Sequence, residues 1–276
     1  MRDRSVCRAA CRLGLALLAS GVPAGAAAQG AREAVIYGSV AHTFAAPLWR
    51  LDRQAVPVPQ PGPLAFDTFR LRRELQAGLS GFAGVALSVG RHLALGGELA
   101  YVSTTILTHC GVLLPLLPDP LGQNLQACNS LNGQRSRSSA ITALGVLTAR
   151  ALPTRRPGPF VRIGFGGAVL DKSYVDAAAI VSGTTCGGCV RKVLEEKARR
   201  YFGWAGLLAA GVSFGGEEGQ FRLEVRDVLL ALPAVTGPAD ALAEHPVPST
   251  RLRLAHRAML AFGIDVVLGG TRLRRY

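Results

Sequence analysis

Between Leu75 and Tyr101 two runs of alternating residues flank a short turn. In the first run Leu75, Ala77, Leu79, Ala83, Val85, Leu87 and Val89 share one parity. Glu74, Gln76, Gly78, Ser80, Gly84, Ala86 and Ser88 share the other, with Phe82 the one bulky member of that set. After Gly90-Arg91-His92 the apolar parity continues through Leu93, Leu95, Leu99 and Tyr101, and the small or polar one through Ala94, Gly96, Glu98 and Ala100. A period of two means β-strands with two unlike faces.

The same rhythm predicts eight strands, at 33–45, 71–88, 93–106, 136–150, 159–172, 199–214, 220–232 and 252–269. Their connections alternate in length. Ala46–Arg70, Leu107–Arg135, Ser173–Ala198 and Pro233–Arg251 are long, whereas Val89–His92, Ala151–Gly158 and Gly215–Gly219 are short. Long and short ends therefore gather on opposite sides of an antiparallel up-and-down meander. Proline-rich stretches (Pro57, Pro59, Pro61 and Pro63; Pro115, Pro118 and Pro120; Pro233, Pro238, Pro246 and Pro248) give the long connections the composition of loops and argue against central strands there.

Which face meets which solvent decides the fold class. Val161, Ile163, Phe165 and Val169 alternate with Arg162, Gly164, Gly166 and Ala168, and Phe221, Leu223 and Val225 with Arg222, Glu224 and Arg226. Leu260, Phe262, Ile264, Val266 and Leu268 alternate with Arg257, Ala261, Gly263 and Asp265. A soluble barrel would turn its large apolar face inward and show Thr, Lys, Glu and Gln to water. Here the second face is mostly Gly, Ala and Ser with a few charges, which suits the crowded interior of a small transmembrane barrel. Slipping the seventh strand by one residue would push Arg222 and Arg226 into lipid, at about 2–4 kcal/mol each near the midplane. The reading is all-β: an eight-stranded antiparallel transmembrane β-barrel with four long outer loops and three short turns. Glu98, Arg162, Arg222, Glu224, Arg226, Arg257 and Asp265 are its expected lumen charge network. The pattern breaks at Asp227, followed by Val228 and Leu230, where a bulge or the membrane surface would each account for it.

The N-terminus carries Arg2, Arg4, Arg8 and Arg12, a short apolar run from Leu13 to Val22, and the small residues Ala24 to Ala28. This reads as a secretory signal peptide over 1–28, cleaved to leave a single domain over 29–276. The remainder has no apolar run of the ~18–20 residues that a membrane helix needs, yet 49% of the chain is hydrophobic and its mean hydropathy is +0.27. Four Arg and one Asp leave with the signal, so the net charge falls from +13 to +10. An exported chain rarely meets nucleic acid, and anionic lipid head groups are the better match for that surplus. Four cysteines remain, Cys110, Cys128, Cys186 and Cys189, an even number in an oxidising compartment. The favoured pairing joins Cys110 to Cys128 and Cys186 to Cys189. The Cys186-Gly187-Gly188-Cys189 spacing also fits redox or zinc sites, but its Gly/Ser/Thr-rich setting lacks the βαβ context, and no second CxxC accompanies it.

On these residues and rhythms the chain resembles the small bacterial outer-membrane β-barrel proteins, the eight-stranded group that includes the transmembrane domain of outer membrane protein A and its porin-like relatives. The resemblance covers 33 to about 269. It implies a Gram-negative outer membrane, short turns in the periplasm, long loops outside the cell, contact with outer-membrane lipid and insertion by the outer-membrane assembly machinery. It rests on patterns rather than a signature motif. Tyr276 supplies a terminal aromatic residue, but Arg272, Arg274 and Arg275 depart from the alternating last strand of the group. Trp49, Tyr101, Tyr174, Tyr201 and Trp204 are the expected interfacial belt.

A filled eight-stranded barrel is a poor pore, so the expected role is structural or surface-interacting, with no enzyme activity, no metal and no cofactor. A narrow small-solute channel through the inward charges, a lipid-acting outer-membrane enzyme and a soluble exported lipocalin-like binder are the alternatives. His42, His92, His109, His245 and His256 lie in no nucleophile motif, with His42 beside Thr43, or His256, the best that an enzyme could use. The bound ligand is not legible.

Overall fold

The computed structural model describes residues 34–58, 64–113, 122–151, 158–183, 186–197, 201–216 and 219–268, the side chains of 182–188 excepted. The signal peptide expected over 1–28 and the terminal Arg272–Tyr276 run lie outside these residues.

Twelve strands form: β1 (Ala34–Thr43), β2 (Ala46–Pro57), β3 (Phe66–Leu75), β4 (Gly78–Ser88), β5 (Leu93–Leu113), β6 (Arg135–Arg150), β7 (Gly158–Leu170), β8 (Ala177–Gly183), β9 (Cys186–Leu194), β10 (Phe202–Gly215), β11 (Gly219–Ala239) and β12 (Pro248–Leu268), with one helix, α1 (Gln123–Leu131). Eight of them close a ring in the order β1-β4-β5-β6-β7-β10-β11-β12, and β12 pairs back onto β1. These are the eight expected strands, all antiparallel to their neighbours. Followed through its register from Tyr37, the ring returns to β12 at Ala255, ten residues from Asp265, the direct partner of Tyr37. A shear of ten in eight strands tilts them roughly 40–45° from the axis.

The large apolar face points outward. Leu79, Leu99, Phe165, Val225 and Ile264 are among the most exposed residues, while Glu98, Arg162, Glu224 and Arg226 are each at most 3% exposed. The lipocalin-like arrangement, with the apolar face inward, is not what forms. From Leu93 to Tyr101 the outward run covers ~26 Å of strand, roughly 20 Å along the axis at this tilt, against the ~25 Å apolar band of outer-membrane barrels. No helix among the described residues is long and apolar enough to cross a membrane.

Several expectations for the long connections are corrected. The first holds the β2–β3 hairpin, laid on the far half of β5 through Thr68↔Leu113 to Leu75↔Ile106. The second holds α1, the third the separate β8–β9 hairpin, and in the fourth β11 and β12 outrun the ring. The prolines are tolerated because these are edges. The β10–β11 register stops at Ala205↔Leu230, so Pro233 sits where β11 has only β12 beside it.

The expected second strand, 71–88, is in fact two. β3 and β4 lie end to end against β5, broken at Gln76-Ala77, with the Gln76 amide bonded to the Thr105 carbonyl at 2.7 Å. The break shifts the pleat by one residue, so Leu75 is fully buried while Leu79, of the same parity, is 73% exposed. At Asp227 no such slip occurs. Val228, Leu230 and Leu232 hold the inward parity of Arg222, Glu224 and Arg226, and all six are buried. What changes there is the inward face of β11, which passes from charged to apolar.

Candidate functional site

Six inward charges meet at one level of the lumen, three basic and three acidic. Glu98 from β5 sits between two guanidinium groups, 2.9 Å from Arg162 Nη2 and in a shorter contact with Arg226 Nη2. Glu224 from β11 receives Arg162 at 3.3 Å and Arg222 at 3.3 Å, with Arg226 3.7 Å away. Arg222 reaches on to Asp265 at 3.0 Å and donates to Ser39 Oγ at 2.8 Å. The charges cancel, and every ion has an opposite neighbour. That is the condition under which buried charge is tolerable, because each unpaired ion would cost several kcal/mol.

Two aromatic rings brace this layer. Tyr37 donates to Glu98 at 3.2 Å and accepts from Arg162. Arg162 and Arg222 also lie 4.6 and 4.5 Å from the centre of its ring. Phe82, the bulky residue on the small-residue face, has Arg226 3.6 Å from its ring centre. Gly84 makes room for Tyr37. A Cβ there would lie 2.5 Å from Tyr37 Cζ and 2.4 Å from the Gly97 carbonyl oxygen. A pocket of about 20 Å³ bordered by Tyr37, Arg162, Arg222 and Asp265 lies beside the network, room for about one water.

Arg257 does not join the network. It stands on β12 two residues from Met259, the direct partner of Arg226, yet makes no ion pair with the network among the described residues. Its fully buried guanidinium donates instead to the Gln76 carbonyl at 3.1 Å and the Leu75 carbonyl at 3.5 Å, at the β3–β4 break. Tyr37 and the stacking role of Phe82 were missed by sequence reasoning. Inward parity was the available signal for both.

Beyond the network the lumen is plugged by apolar side chains, Val102, Leu144, Leu207, Val228, Leu230 and Met259. These are continuous with the core of a cap at the long-connection end, built from Trp49, Phe69, Leu71, Leu131, Tyr174 and Leu194. Trp49 and Tyr174 are thus buried rather than interfacial, and Trp49 Nε1 donates to the Tyr174 carbonyl at 2.9 Å. Tyr101, Tyr201 and Trp204 are exposed, as a belt requires. Arg73 is buried against Trp49, donates to Thr108 Oγ1 at 3.2 Å and to the Asp176 carbonyl, and burial pulls its pKa down to about 10.

The Cys110–Cys128 disulfide ties the tip of β5 to α1, with Cα atoms 5.3 Å apart. Cys189 is also disulfide-bonded; the side chain of Cys186, its expected partner, lies outside the described residues. A cleft of about 560 Å³ opens on the cap between Gln54–Pro57 of β2, Val190–Val193 of β9 and residues 241–246. Arg191 braces one wall, donating to Asn124 Oδ1 and the Pro57 carbonyl, each at 2.7 Å. Glu195 braces another through His245 at 2.8 Å, and its backbone amide bonds the Pro246 carbonyl at 2.9 Å.

The other histidines are scattered. His42 packs against Phe44 on the outer wall, His92 bonds the Arg150 carbonyl, His109 lies beside Glu74, and His256 pairs with Asp227 at 2.6 Å. Among the described residues no serine or threonine hydroxyl is bonded to a histidine, and no group of three His, Cys, Asp or Glu could hold a metal.

No protein-family model and no curated protein sequence matches the chain. Among solved structures, the outer membrane protein AlkL in DMPC bilayers is similar at 16% identity, over 91% of this chain and 96% of that one, with a TM-score of 0.39. The outer membrane protein OprG from Pseudomonas aeruginosa is similar at 8% identity, over 87% and 97%, with a TM-score of 0.44. The translocator domain of the autotransporter NalP from Neisseria meningitidis is similar at 13% identity, over 95% and 96%, with a TM-score of 0.28. These superpositions are loose, and the architecture rests on the closed ring, its shear and the direction of its side chains. The chain forms a closed eight-stranded antiparallel β-barrel, with its apolar wall outward and its charges within.

Proposed function

We propose that this barrel is a closed anchor in the outer membrane that presents its cap, and the cleft in it, at the cell surface. The supporting observation is the lumen, where a charge-balanced layer with a pocket of about 20 Å³ beside it is followed by buried apolar side chains. The proposed role is non-catalytic and structural or surface-interacting. The signal-like N-terminus supports export, and the wall supports insertion into lipid by the outer-membrane assembly machinery. With the short turns in the periplasm, the β2–β3 and β8–β9 hairpins, α1 and the ends of β11 and β12 stand outside the cell.

Single-molecule conductance in planar bilayers tests this reading. A closed anchor gives no unitary current steps once insertion has been verified by heat-dependent mobility on SDS gels. Reproducible steps that change on neutralising Arg162 or Glu224 would replace it with the narrow-channel reading.

A further inference from the structure

Among the described residues the wall just beyond the apolar belt differs from one side of the barrel to the other. Past Tyr101↔Ile141, the outward positions of β5 and β6 pair Thr105 with Arg137 and Leu107 with Arg135. Glu74 lies opposite Leu107, and Arg50, Arg72 and His109 form the next row across β2, β3 and β5. Arg70 completes the patch. Three carboxylates adjoin it: Asp52 binds Arg50 at 2.7 Å and Arg70 at 3.5 Å, Glu74 contacts Arg72 and lies 3.9 Å from His109, and Asp171 accepts from the Ser139 amide at 2.9 Å and hydroxyl at 3.2 Å, one outward step before Arg137. Arg135 and Arg137 are exposed and have no acidic partner among the described residues. Across the barrel the wall instead carries Tyr201, Phe202, Leu252 and Leu254, all exposed, and the balanced Asp227–His256 pair.

We infer that the β3–β5–β6 wall binds the phosphate-bearing head group of an anionic lipid whose chains lie against Leu99, Tyr101 and Ile141. This rests on the belt being in lipid. Height, charge and continuity support it. Arg137 stands four residues beyond Ile141, ~13 Å of strand and roughly 10 Å along the axis at this tilt. A long arginine stem can bend from there to the head-group layer. Guanidinium forks match phosphate oxygens in paired hydrogen bonds, which fits a patch of arginines better than one of lysines. β5 and β6 carry both the belt and the nearest arginines, Arg137 and Arg135, with the Ser103–Ser139 pair between them, so one lipid can meet the belt and these two side chains.

The test is native mass spectrometry of the folded full chain released from neutral detergent, after incubation with phosphatidic acid or with phosphatidylcholine of the same acyl chains. The expected result is a phosphatidic acid adduct favoured at least tenfold, lost in R72Q/R135Q/R137Q and kept in R251Q/R253Q, which removes arginines outside the patch. Equal adducts of the two lipids, or equal loss in both variants, would overturn the proposal. Displacement by inorganic phosphate at equal concentration would also overturn it, since the site would then take a free anion rather than a lipid. Failure of the folded chain to enter bilayers at all would instead count against the lipid-facing belt, and heat-dependent mobility after reconstitution reads that separately.

Discussion

The guanidinium carbon of Arg226 lies 3.6 Å from the centre of the Phe82 ring, in the middle of the barrel. A large aromatic residue thus occupies the small-residue face of β4 because a buried cation needs its π-surface. Desolvated contacts of this kind contribute about 2 kcal/mol. Phe82→Leu, which keeps the apolar volume but not the ring, is expected to lower stability by roughly that amount. Phe82→Ala should cost about 3–5 kcal/mol, because it adds a cavity. Urea unfolding of the protein reconstituted in vesicles measures both.

Glu98 is shared by Arg162 and Arg226. Glu98→Ala leaves two buried cations competing for Glu224 and should destabilise by about 3–5 kcal/mol. Adding Arg226→Gln restores charge balance, so the double variant should be more stable than the two single effects added together. A double-mutant cycle in the same unfolding assay reads this coupling, and strict additivity would show that the network is not one unit.

The disulfide acts on the cap rather than the ring. Cys110 lies on the part of β5 that extends past its pairing with β6, and the bridge closes a sequence separation of 18. Replacing both cysteines with serine should remove about 3 kcal/mol from the cap. Limited proteolysis between residues 110 and 135 should accelerate, while the heat-dependent gel shift of the barrel persists.

Glu195, half-buried on the cap, has its carboxyl held below the ordinary carboxylate range by hydrogen bonds from Lys192 and then from His245. A lowered folded-state value means that this contact is present above the unfolded pKa and is lost as pH falls through the lowered one. Lys192→Met should therefore move the Glu195 titration upward, as followed by carboxyl-carbon NMR.

Much of the ring was legible because membrane physics leaves few choices. Lipid outside and a tight lumen inside force strict alternation, and Arg222, Glu224 and Arg226 could point only one way. Alternation gives a residue's face but not its partners: six inward charges share one set of ion pairs, whereas Arg257 donates to the Leu75 and Gln76 carbonyls. The cap was harder to read. Leu71, Trp49 and Tyr174 are buried in the cap, so ordinary inward burial replaces the inverted pattern, and the one-residue shift at Gln76-Ala77 carries no marker in composition. Prolines that exclude a central strand still permit the edges on which Pro57 and Pro233 lie.

The direction of the wall is the central claim, and nitroxide accessibility reads it most directly. Spin labels placed singly at Leu99, Phe165, Val225 and Ser213 of the bilayer-reconstituted protein would be probed with oxygen and with a water-soluble nickel chelate. The account predicts high oxygen and low nickel accessibility at Leu99, Phe165 and Val225, with oxygen accessibility falling at the inward Ser213. Nickel accessibility at the first three sites matching that of an exposed cap residue such as Leu242 would contradict it, because the apolar wall would then be facing water.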